Sequence, residues 1–215
     1  CRLRSGQTTV LVDTGTPEHA VADAHLSPLA FELSIGKMRV VTGCGMARAD
    51  LAGADAWAPA LRGTAGHSAL IVAEANARAM TVHAERREHE GARLIEGWHD
   101  GYETSFGIRH HRSLYLDAGG GDLRGEDRLT GNLPVPYAIR FHLHPDVAAV
   151  PVEGGREAIL RLPRGPGWRF RSGHPIVVED SVHFGDGTRR RAQQIVVHGL
   201  HDGETVVKWR LAIER

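Results

Sequence analysis

Fourteen histidines in 215 residues set the first question. His142 and His144 stand two apart in Arg140-Phe141-His142-Leu143-His144-Pro145. On a strand, positions i and i+2 point to one face, so these imidazoles could share a metal once a third donor is supplied. The commoner outcome is a packed, hydrogen-bonded pair on a half-polar face. His110 and His111 are adjacent, so on a strand they face opposite ways and cannot easily share a ligand. His99-Asp100-Gly101-Tyr102 reads as a turn in which Asp100 orients His99 or caps the backbone. Arg161, Arg164, Arg169 and Arg171 surround Trp168, and Arg189-Arg190-Arg191 form a second cluster. Stacking with forked hydrogen bonds suits an anionic sugar chain, although a solvated hairpin surface has the same composition. No serine elbow, phosphate-binding loop or Cys-x-x-Cys motif occurs. Gly119-Gly120-Gly121 lies between two β-like runs with no helix after it, and so reads as a hairpin turn.

The elements that must position these residues are short β runs separated by Gly and Pro. Residues 8–12 are apolar and β-branched. Residues 29–35 alternate, and Gly36-Lys37 turns the chain into 38–42, which predicts a hairpin. Residues 55–61 are the best helix candidate, limited to about two turns by Pro59. Residues 67–73 are apolar, and 75–90 read better as strands than as a helix. From residue 93 onward the pattern is almost purely β, with strands expected at 93–98, 102–106, 108–117, 122–129, 137–144 and 158–162. Further strands are expected at 168–172, 176–180, 193–198 and 205–213. Strands at this spacing without βαβ alternation predict one all-β domain over 1–215, a large antiparallel β-sandwich with at most one or two short helices.

Composition narrows the function. Basic and acidic residues number 26 each, so the net charge is zero, which disfavours a generic nucleic-acid binder. Of the basic residues only Lys37 and Lys208 are lysines, and the excess of arginine reads as genomic bias or as carboxylate and sulfate recognition. No run approaches the ~18 apolar residues of a membrane span. Cys1 and Cys44 are too few for a disulfide scaffold; a bridge between them stays open. A chain that opens on Cys1 without Met or a signal peptide reads as a piece of a longer protein.

Several motifs fall in a recognisable order. They are His99-Asp100-Gly101-Tyr102, Phe106-Gly107-Ile108-Arg109-His110-His111-Arg112, Leu114-Tyr115-Leu116 and Asp122-Leu123-Arg124-Gly125-Glu126-Asp127-Arg128-Leu129. Arg140 to Pro145, Trp168-Arg169-Phe170, Glu179-Asp180-Ser181 and Gln193-Gln194-Ile195-Val196 follow. Over nearly the whole chain this series resembles the C-terminal β-sandwich domain of heparinase II/III-like polysaccharide lyases, particularly an alphaproteobacterial branch.

The resemblance implies a parent chain in which an N-terminal α/α toroid precedes this sandwich. It also implies β-elimination on a uronate-containing acidic polysaccharide, in a periplasmic or envelope setting. A base removes the proton next to the uronate carboxylate, an acid protonates the leaving oxygen, and the carboxylate must be neutralised because the transition state places more charge on it. A histidine and a toroid tyrosine share the proton transfers. Asp23-Ala24-His25-Leu26-Ser27-Pro28-Leu29-Ala30-Phe31-Glu32-Leu33 resembles the family's His-x-His-x-Asp stretch and the strand after it. His25 matches a zinc ligand, while Asp23 occupies the catalytic histidine position. Gly43-Cys44-Gly45 stands where the family has Asp-Pro-Gly, so a zinc-binding carboxylate is missing and Cys44 is the candidate replacement. Arg62 to Ser68 resembles the family's Arg…Ala-His-Asn-Thr motif, which makes His67 the third metal position and Arg62 a substrate-binding residue. Two readings follow. A cleft wall brings His25, Arg62 and His67 to one exposed surface and is inactive without the toroid. A non-catalytic anionic-glycan-binding or scaffold module buries or scatters them.

Overall fold

A computed structural model describes residues 1–16, 24–47, 54–78, 81–185 and 188–214. Among them are sixteen strands, two short helices and one 3-10 turn, Thr64–Gly66. The first sheet contains β1 (Arg2–Ser5), β2 (Thr8–Val12), β3 (Phe31–Ile35), β4 (Met38–Thr42), β10 (Val135–Leu143), β15 (Arg190–His201) and β14 (Val177–His183), in that spatial order. β5 (Leu70–Val72) joins the same edge of β10 as β4. β4 pairs at His142–Leu143 and β5 at Tyr137–Ile139. The second sheet runs β11 (Ala148–Pro151), β12 (Glu157–Arg161), β13 (Trp168–Ser172), β16 (Glu204–Ile213), β9 (Asp122–Thr130), β8 (Ile108–Leu116), β7 (Ala92–Tyr102) and β6 (Val82–His89). Every strand pair in both sheets is antiparallel.

The two-residue period of the strands builds the sandwich. Tyr137, Ile139, Phe141 and Leu143 of β10 point into the core, as do Trp168 and Phe170 of β13. Phe141 contacts Phe170 at a centroid distance of 4.8 Å and Trp209 of β16 at 4.9 Å, and Phe31 stacks on Trp209 at 5.3 Å. These rings clamp the sheets together; truncating a buried ring of this kind costs about 3–5 kcal/mol. On the outer face of the first sheet lie Ala138, His142 and Val196, covered by the turn Thr64–Gly66 and by α1 (Ala54–Arg62). Pro59 inside α1 lacks the N–H that a longer helix would use.

The expected hairpin forms as β3 and β4, and residues 55–61 fall within α1. Gly119 to Gly121 link β8 to β9, and Thr8 Oγ1 donates to the Gly120 carbonyl at 2.6 Å. Residues 102–106 differ from the expected strand. Glu103–Phe106 is a single helical turn, α2, closed by Gly107 in the left-handed region at φ 64°. Trp168 also differs. It is buried in the core while Arg169 and Arg171 point outward, so it is not an aromatic among exposed arginines.

Candidate functional site

His25 and His67 meet on the outer side of the first sheet. His25 Nδ1 lies 3.1 Å from His67 Nε2, with the rings edge to face and both residues half-buried. Three local devices bring them there. Leu26 N–H donates to the Arg62 carbonyl at 2.8 Å, which sets the end of α1 beside His25. Thr64 Oγ1 donates to the Leu26 carbonyl at 2.7 Å and accepts from Ala77 N–H at 2.8 Å. Ser68 Oγ donates to the Thr42 carbonyl at 2.7 Å and accepts from His142 N–H at 2.9 Å, so the residue after His67 is fixed to β4 and β10. Arg62 is half-buried, and its backbone carbonyl is the group that meets Leu26. Asp23 lies outside the described residues.

Beneath this site sits a wholly buried polar chain. The Gly101 N–H donates to His99 Nδ1 at 3.1 Å, so the His99 proton is on Nε2 and points to His110 Nδ1, 3.0 Å away. His110 Nε2–H donates to Asp127 Oδ1 at 2.8 Å. Arg112 Nε donates to the same oxygen at 2.7 Å, and Trp209 Nε1 donates to Oδ2 at 2.8 Å. Arg112 Nη1 then donates to the carbonyls of Leu29 (2.8 Å) and Ser68 (3.1 Å), one in the segment after His25 and the other next to His67. A core ion pair therefore holds both halves of the site. Burial pushes the Asp127 carboxyl up, but Arg112 and His110 outweigh it and hold it well below the usual carboxylate range. Burial keeps His99 and His110 neutral. Sequence reasoning read His99 as a turn residue oriented by Asp100 and gave Arg112 and Asp127 no role; the structure places His99 on β7, and Asp100 Oδ1 accepts from Thr81 N–H instead. The signal was there, because on β8 the buried positions alternate as Ile108, His110, Arg112, Leu114 and Leu116, which turns an arginine inward.

His67 is pushed down to about 3 by burial and by its neighbours His25 and His142, so its imidazole is neutral. His142 is pushed down to about 4 by burial; its Nε2 donates to the Ala65 carbonyl at 2.8 Å, and its Nδ1 faces Ser181 Oγ at 2.9 Å. It is thus a packed, hydrogen-bonded histidine. His144 instead accepts from Asp146 N–H and sits 5.4 Å from the His183 ring. Cys44 is buried, its thiol raised to about 11 by burial, and Sγ turns to His142 Nδ1 at 3.4 Å. Cys1 is exposed and both cysteines are free, so no bridge joins them.

The zinc expectation is tested by Gly43. A Cβ there would sit 3.3 Å from His67 Nδ1, the ring nitrogen not engaged with His25, but the residue is glycine and supplies no donor. Cys44 directs its sulfur elsewhere, and among the described residues no group of three His, Cys, Asp or Glu could hold a metal ion. Two imidazoles fill two vertices of a site that takes three or four protein ligands. The described residues therefore do not make a zinc centre, and no chemistry here is routed through one. The pair can exchange a proton or accept a hydrogen bond. A hollow of about 280 Å³ opens beside His67, with Asp13, Glu32 and Gly43 in its lining.

The fold is a two-sheet antiparallel β-sandwich with a histidine pair on one outer face. The family model "Heparinase II/III-like, C-terminal" matches residues 1–210, and the chain belongs to that family. Heparan sulfate lyase HepC from Pedobacter heparinus superposes with a TM-score of 0.81 at 13% identity, over 95% of this chain and 33% of that one. The heparinase III product BT4657 gives 0.80 at 12% identity, over 96% and 32%. These likenesses establish the fold. FtsZ-localized protein C of Caulobacter vibrioides is 30% identical over 98% of this chain, which spans 41% of that protein. The chain thus covers about a third to two fifths of the length of these relatives.

Proposed function

We propose that this domain forms one wall of a cleft for a uronate-containing acidic polysaccharide, in a parent chain that acts by β-elimination. The observation that carries this reading is the His25–His67 pair on a half-exposed surface, with the half-buried Arg62 next to it along the chain through the Leu26–Arg62 backbone bond; a purely structural role would bury or separate the two imidazoles. In this role Arg62 pairs with the uronate carboxylate through its planar fork, and the His25–His67 pair, with His67 neutral, orients the sugar by hydrogen bonding. Asp13 and Glu32 beside His67 add negative charge, so the remaining neutralisation comes from the facing toroid wall. The domain by itself does not cleave, and the reading places the parent in the periplasm or envelope. In a direct test, a polygalacturonate oligosaccharide is titrated calorimetrically into wild type and Arg62→Ala, with ultraviolet absorbance following any unsaturated uronate product. Binding that Arg62→Ala weakens about tenfold or more, without product, supports the wall. Equal binding by both proteins would remove Arg62 from the role.

A second reading has its own support. Gly43 removes the carboxylate that the family's metal site uses, and a relative far closer in sequence than the solved lyases is named for localisation with FtsZ. In this reading the sandwich is a non-catalytic scaffold placed with FtsZ. Co-sedimentation with FtsZ polymers, unchanged in Arg62→Ala and His67→Ala, would favour it over the cleft wall.

A further inference from the structure

A row of arginines crosses the outer face of the second sheet. The strand register sets it. Tyr115 on β8 stands opposite Arg124 on β9, Arg124 opposite Arg210 on β16, and Arg210 opposite Arg171 on β13. Opposite residues on neighbouring strands project from one face at about 5 Å spacing, so Arg124 and Arg171 stand roughly 10 Å apart. Their strand neighbours Leu123, Leu211 and Phe170 are buried, which turns the guanidiniums away from the core. Arg169 joins the row two residues from Arg171. Together these arginines line an open hollow of about 660 Å³, and a second of about 400 Å³ shares Arg124, Arg171 and Arg210 and adds Tyr115.

The carboxylates in the row fix the forks in place. Asp122 Oδ2 accepts from Nε and Nη2 of Arg124 at 2.9 and 2.7 Å. Arg210 donates to the same group, Nε to Oδ1 at 2.7 Å and Nη2 to Oδ2 at 3.1 Å. Glu157 takes Arg169 Nη1 at 2.7 Å and Arg171 Nε at 3.0 Å, while Glu214 takes Arg169 Nη2 at 2.6 Å. Four guanidiniums therefore meet three carboxylates. Asp117 sits at the rim, and Lys208 pairs with Glu126 at 3.7 Å one step along. Each guanidinium has five N–H donors. Arg124, Arg210 and Arg171 commit two, two and one of these, on side chains that are 60%, 45% and 52% exposed. What remains is a set of oriented, solvent-facing forks whose side-chain entropy is already spent.

We propose that this row is a second binding surface, which holds an acidic saccharide chain through its sulfate or carboxylate groups. Carboxylates and sulfates both present pairs of oxygens that match the free forks, and Tyr115, with the Arg124 guanidinium 5.6 Å from its ring centroid, closes the end of the row. The shallow hollows suit an extended chain better than an enclosed small molecule. The surface lies on the outer face of the sheet opposite to the one bearing His25 and His67, so it does not depend on the cleft reading.

The test uses the Arg62→Ala protein, to silence the wall. Size-defined heparin and polygalacturonate oligosaccharides are titrated calorimetrically, with duplex DNA of matched charge as the competitor class. The expected result is saccharide binding that Arg124→Ala/Arg210→Ala weakens about tenfold or more and Arg210→Lys weakens severalfold, with the double variant still folded by circular dichroism at the titration temperature although Asp122 has lost two partners. A failure to bind either saccharide, equal affinity in the double variant, full affinity in Arg210→Lys, or DNA binding as tight as saccharide binding would each overturn the proposal.

Discussion

Replacing Asp127 by alanine should be the most damaging polar substitution in this core. The carboxylate is fully buried and serves Arg112, His110 and Trp209 at once. Its loss leaves the Arg112 guanidinium, 1% exposed, without a counter-ion. Removing one partner of a buried ion pair costs about 3–5 kcal/mol. The orphaned His110 and Trp209 donors act in the same direction but do not add in full. Against a domain stability of about 5–15 kcal/mol this is a large fraction. At about 2–4 °C per kcal/mol for a chain of this length, the melting temperature should fall by roughly 10 °C. Thermal melts followed by circular dichroism, with urea titration for the free energy, measure it. Adding Arg112→Met to Asp127→Ala should restore part of the loss, because no buried charge remains unpaired. Recovery stays partial, since Arg112 also holds the Leu29 and Ser68 carbonyls. A shift below about 2 °C for Asp127→Ala, or a double variant worse than the single one, would refute the assignment.

Four further outcomes follow from the same geometry. Acid should destabilise the fold: His142 has its pKa near 4 against an ordinary 6.5, so from pH 6.5 to 4 the unfolded chain binds a proton that the native one refuses. This costs up to about 3 kcal/mol at the lower end, with buried neutral His99 and His110 acting in the same sense, and urea midpoints across that range read it. Gly43→Asp should raise the His67 pKa, because the new carboxylate stands beside His67 Nδ1 and favours the imidazolium; an unchanged His67 titration by NMR would contradict that placement. Thr64→Val should cost about 1–3 kcal/mol by orphaning Ala77 N–H and releasing Leu26, read as a loss of melting temperature. A maleimide at pH 7 should label Cys1 rapidly and Cys44 only on unfolding, since Cys44 is buried with its thiol raised to about 11; equal rates by mass spectrometry would contradict that burial.

The sandwich was legible because its strands alternate cleanly and its turns carry glycine. The β3–β4 hairpin, α1 and most later strands stand where the pattern puts them. β1 and β11 were not read, being only four residues long, with Arg2 and Arg4 outward on the first and Pro151 ending the second. Glu103–Phe106 looked like a strand because its composition resembles its neighbours, and the left-handed Gly107 that closes the turn is a single local signal. Trp168 was placed among arginines when its own alternation with Phe170 turns it inward. At the site, His25, Arg62 and His67 were named from motif resemblance; the structure pairs His25 with His67 across 42 residues and ties Arg62 to this place through its backbone carbonyl on Leu26. What sequence could not supply was the cross-strand chemistry. The Asp127 chain spans β7, β8, β9 and β16, and the arginine row exists only once the register of four strands is known.

The central claim is that His25, Arg62 and His67 make one wall for an acidic polysaccharide. It is tested most directly by titrating polygalacturonate oligosaccharide into Arg124→Ala/Arg210→Ala protein, in which the outer arginine row is silenced, with and without Arg62→Ala. The account predicts measurable binding that disappears when Arg62→Ala is added, with the melting temperature unchanged. Absence of binding before Arg62 is touched, or binding that survives its removal, would contradict it.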